Sequence, residues 1–437
     1  MKIKVIKFGP IENAEIDFAP MMVFTGDSNL GKSYINYLMY YVVYSITDGV
    51  ELEKFIAQKR KGKDEFEIAI KSIEGWLESR VEPFMATFLN SPDIKCSVKF
   101  ELTPSDPDKV YQCKTSRTDT SIFPTEKKED IPILRLSRYV IDIDGKQNTT
   151  SSGASIGVDS IITYFFAKTL QSDIFNQVIK SVFILPPARG AFVGENYTIK
   201  DKISSSVGMY RMFLNDYDEA TSPMFSYLSK RRKTVQKYST EIERLLNGKL
   251  TSHNGKQYLE LKNGQKIPLS ASASSVKELS PFLFALQNDP ITERSFCIEE
   301  PEAHLHPQMQ INVTDLIASC FSDGMMFQFT THSDYVLQRL NQLIKLSYIQ
   351  NHDKEKFTVI CERHNFNKRH CINPDKIKMY YFAVNEEGKV TIEQLNVTEK
   401  GVPMVTFFEV VRSISEVEDD LENAIDEIKE GLGNENK

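Results

Sequence analysis

Eight consecutive residues constrain this chain more than anything else in its sequence. Gly26-Asp27-Ser28-Asn29-Leu30-Gly31-Lys32-Ser33 satisfies the pattern G-x-x-x-x-G-K-[ST] at every defined position. The apolar run Met21-Met-Val-Phe-Thr before it reads as a buried strand, and after it Ile35, Leu38, Met39, Val42 and Ile46 recur at helical spacing. Strand, glycine loop and helix therefore follow one another directly. In that arrangement the glycines let backbone N–H groups turn toward phosphate oxygens at a helix N-terminus. Lys32 then reaches the β and γ oxygens, and the Ser33 hydroxyl binds Mg²⁺. The segment Gly26 to Tyr34 is read as a nucleotide-binding loop at the start of an α/β domain.

A second constellation lies far downstream. In Phe296-Cys-Ile-Glu299-Glu300-Pro-Glu302-Ala-His304-Leu-His306-Pro307 a hydrophobic strand ends in two adjacent carboxylates. Side chains alternate along a strand, so one carboxylate can face a metal while the other faces a water beside the γ-phosphate. Glu299 is the expected Mg²⁺ ligand and Glu300 the group that polarises the attacking water. A third motif, Phe329-Thr-Thr-His332-Ser-Asp334, is another strand ending in polar residues, where His332 could donate to the γ-phosphate or orient that water. The fourth, Ala273-Ser274-Ser275-Val-Lys-Glu-Leu279, sits ahead of the acidic strand and offers hydroxyls and N–H groups at a helix start. Alone, it reads as an ordinary N-cap.

At roughly 150 residues per domain, 437 residues allow two or three domains or one large domain with an insertion. The organisation read here is an N-terminal part at 1–50, an insertion and helical region at 51–247, a resumed α/β core at 248–412, and an acidic helix at 413–437. Asn254-Gly255 and Asn263-Gly264 mark hairpins. Phe357 to Cys361 and Lys378 to Val384 read as further strands, and the final helix carries Leu421, Ala424, Ile425 and Ile428.

With 53 lysines and arginines against 60 acidic residues the net charge is −7, so bulk charge does not draw the molecule to nucleic acid. DNA contact would have to use local runs such as Lys59-Arg60-Lys61 or Lys230 to Lys233. Six scattered cysteines make no disulfide scaffold and fit a reducing, cytoplasmic setting. The apolar stretches are far shorter than the roughly 18 to 20 residues a membrane helix needs. Cys361, His364, His370 and Cys371 have no common zinc spacing and are read as loop residues.

Taken in order, Gly26 to Ser33, Ser274-Ser275, Cys297 to Pro307 and His332 resemble an ABC-type ATPase head of the branch that includes SMC, RecF and the overcoming-lysogenization-defect (OLD) proteins. The opening Lys-Phe-Gly-Pro-Ile-Glu-Asn-Ala-Glu-Ile-Asp-Phe is similar to that branch's first hairpin, and E-E-P-E-x-H-L-H-P is typical of its compact bacterial members. The resemblance implies a mixed sheet flanked by helices, with a helical and loop insertion between Walker A and the signature motif. It implies ATP and Mg²⁺ as ligands, Lys32 and Ser33 in Walker A, Glu299 and Glu300 in Walker B, and His332 as the switch histidine. Ser274 matches the signature serine, while Ser275 stands where glycine is usual and Glu299 where aspartate is frequent. Because such heads close the signature of one subunit over ATP held by another, at least a dimer is implied.

The chain has neither a zinc-hook Cys-x-x-Cys nor an acidic nuclease cluster after His332. Compact heads of that kind look like the ATPase subunits of two-gene bacterial defence systems, notably the AriA component of PARIS. In that family the ATPase forms a ring, senses a phage protein and releases a TOPRIM-type nuclease toxin. The alternative is an SMC- or RecF-like clamp or repair ATPase on DNA; a third reading is a slow switch in which bound ATP chiefly holds an assembly together.

Overall fold

A computed structural model describes the chain except for residues 48, 123–133, 154–156, 194–207, 222–236, 254–255, 289–292, 405–411 and 426–437. Lys230 to Lys233, Asn254-Gly255 and Ile428 lie outside the described residues. The strands are β1 (Lys2–Phe8), β2 (Ile11–Asp17), β3 (Met21–Gly26), β4 (Glu65–Ala69), β5 (Cys96–Glu101), β6 (Val110–Ile122), β7 (Leu134–Ile143), β8 (Lys146–Gly153), β9 (Ser181–Leu185), β10 (Gly248–His253), β11 (Lys256–Leu261), β12 (Lys266–Pro268), β13 (Arg294–Glu299), β14 (Met326–Thr330), β15 (Ile377–Val384) and β16 (Val390–Leu395). The helices are α1 (Lys32–Thr47), α2 (Gly49–Arg60), α3 (Ile70–Phe88), α4 (Val158–Phe175), α5 (Gly208–Thr221), α6 (Ser239–Leu246), α7 (Ser274–Asn288), α8 (Pro307–Ser322), α9 (Asp334–His352), α10 (Lys354–His364) and α11 (412–425).

The centre is a six-stranded mixed sheet in the order β16-β15-β3-β14-β13-β9. Its five strands from β15 to β9 run parallel, and only β16 at the edge is antiparallel. Strands β13 and β14 are buried along their whole length, and β3 is buried up to its final glycine. That is why they read as unbroken apolar runs rather than as alternation: helices cover both faces of a parallel sheet. Helix α1 lies against β9, β13 and β14. The expected α/β class with a mixed sheet and flanking helices is what the chain adopts.

Three antiparallel sheets surround this core: β2-β1-β5, β4-β6-β7-β8 and the meander β10-β11-β12. The first is stitched to the central sheet at Asp17, whose N–H donates to the Tyr380 hydroxyl at 2.8 Å and whose carboxylate takes Lys378 Nζ at 2.9 Å. No described helix is long and apolar enough to cross a membrane.

Two expectations need correcting. The stretch 51–247 is not a single insertion, because β5 completes the first sheet beside β1 and β9 forms the edge of the central sheet beside β13. Among the described residues of this stretch, β4 and β6 to β8 form a sheet of their own. The supposed strand Phe357 to Cys361 lies inside helix α10, whose N-cap Asp353 accepts from Lys356 N at 2.9 Å. Phe357, Ile360 and Cys361 fit helical spacing as well as a short strand, and the cap decides between them.

Candidate functional site

Four neighbouring parallel strands, β3, β14, β13 and β9, deliver the functional segments at their C-terminal ends, the edge of an open α/β sheet where ligands bind. From β3 comes the glycine loop. Gly26 has φ 114°, and a Cβ there would lie 2.2 Å from the Phe382 carbonyl oxygen of β15, so only glycine lets the loop leave the sheet this way. Gly31, at φ 93°, turns the chain into α1. Asp27, Ser28 and Asn29 are exposed, with Leu30 and Gly31 partly covered. Tyr34 packs outside this loop, stacked on Phe8 with ring centroids 4.9 Å apart.

Lys32 is buried and folds back across the loop, donating to the carbonyl of Gly26 at 3.0 Å and to that of Asp27. Burial lowers its pKa, while the carboxylates of Asp27, Glu300 and Glu299 oppose that shift. Three acids thus lie near enough to act on the cation's charge.

Glu299 ends β13 and is only 3% exposed. Its carboxylate accepts from Ser33 Oγ at 2.6 Å, Asn36 Nδ2 at 2.8 Å and Thr330 Oγ1 at 3.0 Å. Burial raises its pKa against those hydrogen bonds, which favour the charged form. Ser33 and Glu299 are 266 residues apart in sequence. Side by side they form an oxygen-only pair of the sort a hard cation such as Mg²⁺ takes while keeping waters and phosphate oxygens as its other ligands. Among the described residues no group of three or more His, Cys, Asp and Glu is arranged to hold a metal by itself.

Glu300 leaves the strand in the left-handed region at φ 46°, and its N–H donates to Thr330 Oγ1 at 3.2 Å. This kink separates the two glutamates: Glu299 is sealed in and Glu300 is partly open. His332 follows β14. Burial lowers its pKa, Lys32 lowers it further, and the carboxylates of Glu300 and Asp27 push it back up. Lys32, Glu300 and His332 thus lie near enough for their charges to act on one another.

Several residues that hold this arrangement escape sequence reading. Glu302 is buried and accepts from Thr331 Oγ1 at 2.6 Å and from the His332 N–H at 2.9 Å, clamping the histidine's backbone. Arg189, 2% exposed after β9, donates to the carbonyl of Glu299 at 2.8 Å, to that of Pro186 at 3.2 Å and, through Nε, to that of Glu278 at 2.9 Å. Burial lowers its pKa, and Glu278 is the first of four glutamates that counter this. The carboxylate of Glu278, on α7, also accepts from Gly190 N at 3.0 Å. The only signal for this pair was the apolar run Ser181 to Leu185 breaking at Pro-Pro-Ala-Arg189-Gly190.

Ser274 and Ser275 open α7, Ser274 exposed and Ser275 partly so. Their helix is tied to the Glu299 strand end through Glu278 and Arg189. His304 is exposed, and His306 caps α8. His370 closes a capping box with Asn367, whose N–H donates to its Nδ1 at 3.2 Å, while Cys361 lies in α10 and Cys371 follows that turn.

Residues 159–337 match the family model of the AAA ATPase domain. That stretch carries Ser274, Glu299, Glu300 and His332 and begins after the glycine loop. No curated protein sequence matches the chain. Among solved structures it is similar to an SMC head bound to the C-winged helix domain of ScpA (15% identity, TM-score 0.36, covering 91% of this chain and 98% of that one). It is also similar to the SMC head domain of Thermotoga maritima (11%, TM-score 0.32, 91% and 98%). A third is the Pyrococcus furiosus Smc head with an extended coiled coil, bound to the C-terminal domain of ScpA (12%, TM-score 0.35, 95% and 98%).

Proposed function

We propose that this chain binds and hydrolyses ATP as an ABC-type ATPase of the SMC, RecF and OLD-like branch. We further propose that it is the sensor and scaffold subunit of a cytoplasmic anti-phage system, holding a TOPRIM-type nuclease toxin until a phage protein releases it. The observation that carries the ATPase reading is the 2.6 Å contact between Ser33 Oγ and Glu299 Oε2 beside the glycine loop. Mg²⁺, when bound, would spread the charge of the transferring phosphoryl group. The loop N–H groups and Lys32 hold phosphate oxygens, Ser33 and Glu299 hold the ion, Glu300 polarises the water, and His332 orients it or meets the γ-phosphate. Ser274, at the exposed start of α7, closes over the nucleotide of a second copy.

The defence role is supported by the likeness of the Glu299 to Pro307 string to compact bacterial heads. Its test starts from Glu300→Gln, which retains ATP and loses the water-polarising carboxylate, so turnover falls by roughly 10²–10³ while binding persists. Purified with its native neighbouring genes in ATP and Mg²⁺, this variant retains a stoichiometric nuclease-like protein, identified by mass spectrometry and lost on adding the phage trigger. Retained DNA without a protein partner would favour the clamp reading instead. Wild-type turnover in the variant would move the water-activating role to another acid.

A further inference from the structure

Helix α11 is exposed at every described position. Ile414, Val417, Leu421 and Ile425 are 63%, 56%, 55% and 50% exposed, and their spacing of three, four and four puts them in one stripe. Glu416, Glu418, Asp419, Asp420 and Glu422 lie among them, and the helix's one basic residue, Arg412, is engaged with Glu416 at 2.8 Å. A helix this short and unsupported is marginal in water, so the stripe needs a surface to cover it. Two such helices packed on each other would set carboxylates against carboxylates.

The same chain carries a surface of the opposite character. Between α6, α8, α9 and α10 runs a groove of about 880 Å³ whose partly buried lining includes Ile311, Ile349, Ile360 and Phe366, with exposed Arg244 and Lys345 beside them. The one carboxylate in its lining, Asp315, is already paired with Arg339 through two hydrogen bonds of 2.7 and 2.8 Å. Arg339 itself lies over the Phe366 ring at 4.3 Å. What remains is a floor of apolar side chains edged by neutral polar residues such as Gln308 and Gln342 and by two cations, complementary to the stripe and the carboxylates of α11. The described residues of α11 are uncovered within their own chain, and the occupant taken here is the same helix of another copy.

We propose that α11 of one copy docks in the α8–α9–α10 groove of a second copy, its apolar stripe on the floor and its carboxylates against Arg244 and Lys345. Exchanged reciprocally, the contact closes a dimer; passed head to tail, it closes a ring. No nucleotide takes part, so this contact stands apart from the ATPase reading and survives if that reading fails.

The test uses the full chain without nucleotide, with mass measured by light scattering on a sizing column. Leu421→Asp and, separately, the pair Arg244→Glu with Lys345→Glu weaken self-association about tenfold or more, the size of one hot-spot side chain. All these positions are surface ones, so unchanged melting curves show that the fold is intact. Adding Glu418→Lys and Glu422→Lys to the groove pair restores association, which a merely structural defect would not. Differently tagged chains carrying Val417→Cys and Ile349→Cys then form a disulfide across the two tags, above the background of the unaltered chain. A crosslink confined to one chain, or association indifferent to Leu421→Asp, overturns the proposal.

Discussion

The two sides of the candidate site are built on opposite plans. On the Walker side the anchoring groups are tied within the chain: Glu299 accepts three hydrogen bonds, Lys32 is buried against the loop, and the His332 backbone is held by Glu302. On the other side, Ser274 is exposed at a helix start, while the rest of α7 is held by Glu278 to Arg189 and by buried rings such as Phe282 on Phe296. One half is fixed by contacts within the chain; on the other, Ser274 is open to solvent. A division of that kind suits a site that is completed by a second molecule, where binding belongs to one chain and turnover to two.

The difference is broken most completely at Lys32. Lys32→Ala is expected to weaken ATP binding by about 2–5 kcal/mol, the cost of removing one partner from a desolvated charge pair. Isothermal titration measures it directly, and undiminished affinity would refute the reading of Gly26 to Ser33 as a phosphate loop. Because the lysine's present partners are backbone carbonyls, the fold should survive the change.

Ser274 sharpens the comparison. Ser274→Asp sets a carboxylate against the γ-phosphate of the neighbouring copy, so turnover collapses while each chain still binds ATP through its own loop. Mixed in equal amounts, Lys32→Ala and Ser274→Asp chains, each inactive, form mixed dimers holding one intact composite site. Half the dimers are mixed and one site in two is whole, so about a quarter of normal turnover returns. A mixture as inactive as its parts would mean that the two sides do not act across copies.

Arg189 joins the two sides, and its replacement has a smaller but more diagnostic effect. Lysine keeps a cation beside Glu278 but cannot donate to the carbonyls of Glu278, Glu299 and Pro186 together. Arg189→Lys is therefore expected to leave nucleotide affinity near normal and to lower turnover about tenfold, because α7 loses its register against the Glu299 strand end. Equal losses in affinity and turnover would reduce Arg189 to a packing residue. Removing the charge altogether, as in Arg189→Met, leaves Glu278 uncompensated and should cost about 3–5 kcal/mol of stability, read in a denaturant titration.

The Walker side was legible in the sequence because its chemistry is written in contiguous strings: a glycine loop after one strand, paired carboxylates at the end of another, a histidine after a third. The residues that support it were not. Asn36 meets Glu299 across 263 positions and Arg189 meets it across 110, and both contacts depend on a strand order that no local pattern specifies. For the same reason β9 was hidden inside a supposed insertion. Four apolar residues between Ser181 and Pro186 become an edge strand only once β13 is there to pair with them. The α10 error was of another sort. A short run with apolar residues at 357, 360 and 361 satisfies two periods at once, and the deciding contact was the Asp353 cap.

The smallest expected effect tests whether the charges around His332 belong to the site's chemistry. Burial and Lys32 hold the histidine's pKa below its ordinary value, while Glu300 and Asp27 pull it upward. If turnover needs the neutral ring, the rate falls as the pH drops through this lowered value. Asp27→Asn removes one of the two carboxylates that raise it, so the acid limb of the pH–rate profile moves to lower pH. Asp27 is exposed, so screening keeps the displacement small. A limb that stayed in place, or one that persisted in His332→Gln, would assign it to a carboxylate of the acidic strand end instead, and would leave His332 as a group that positions water without titrating in the working range.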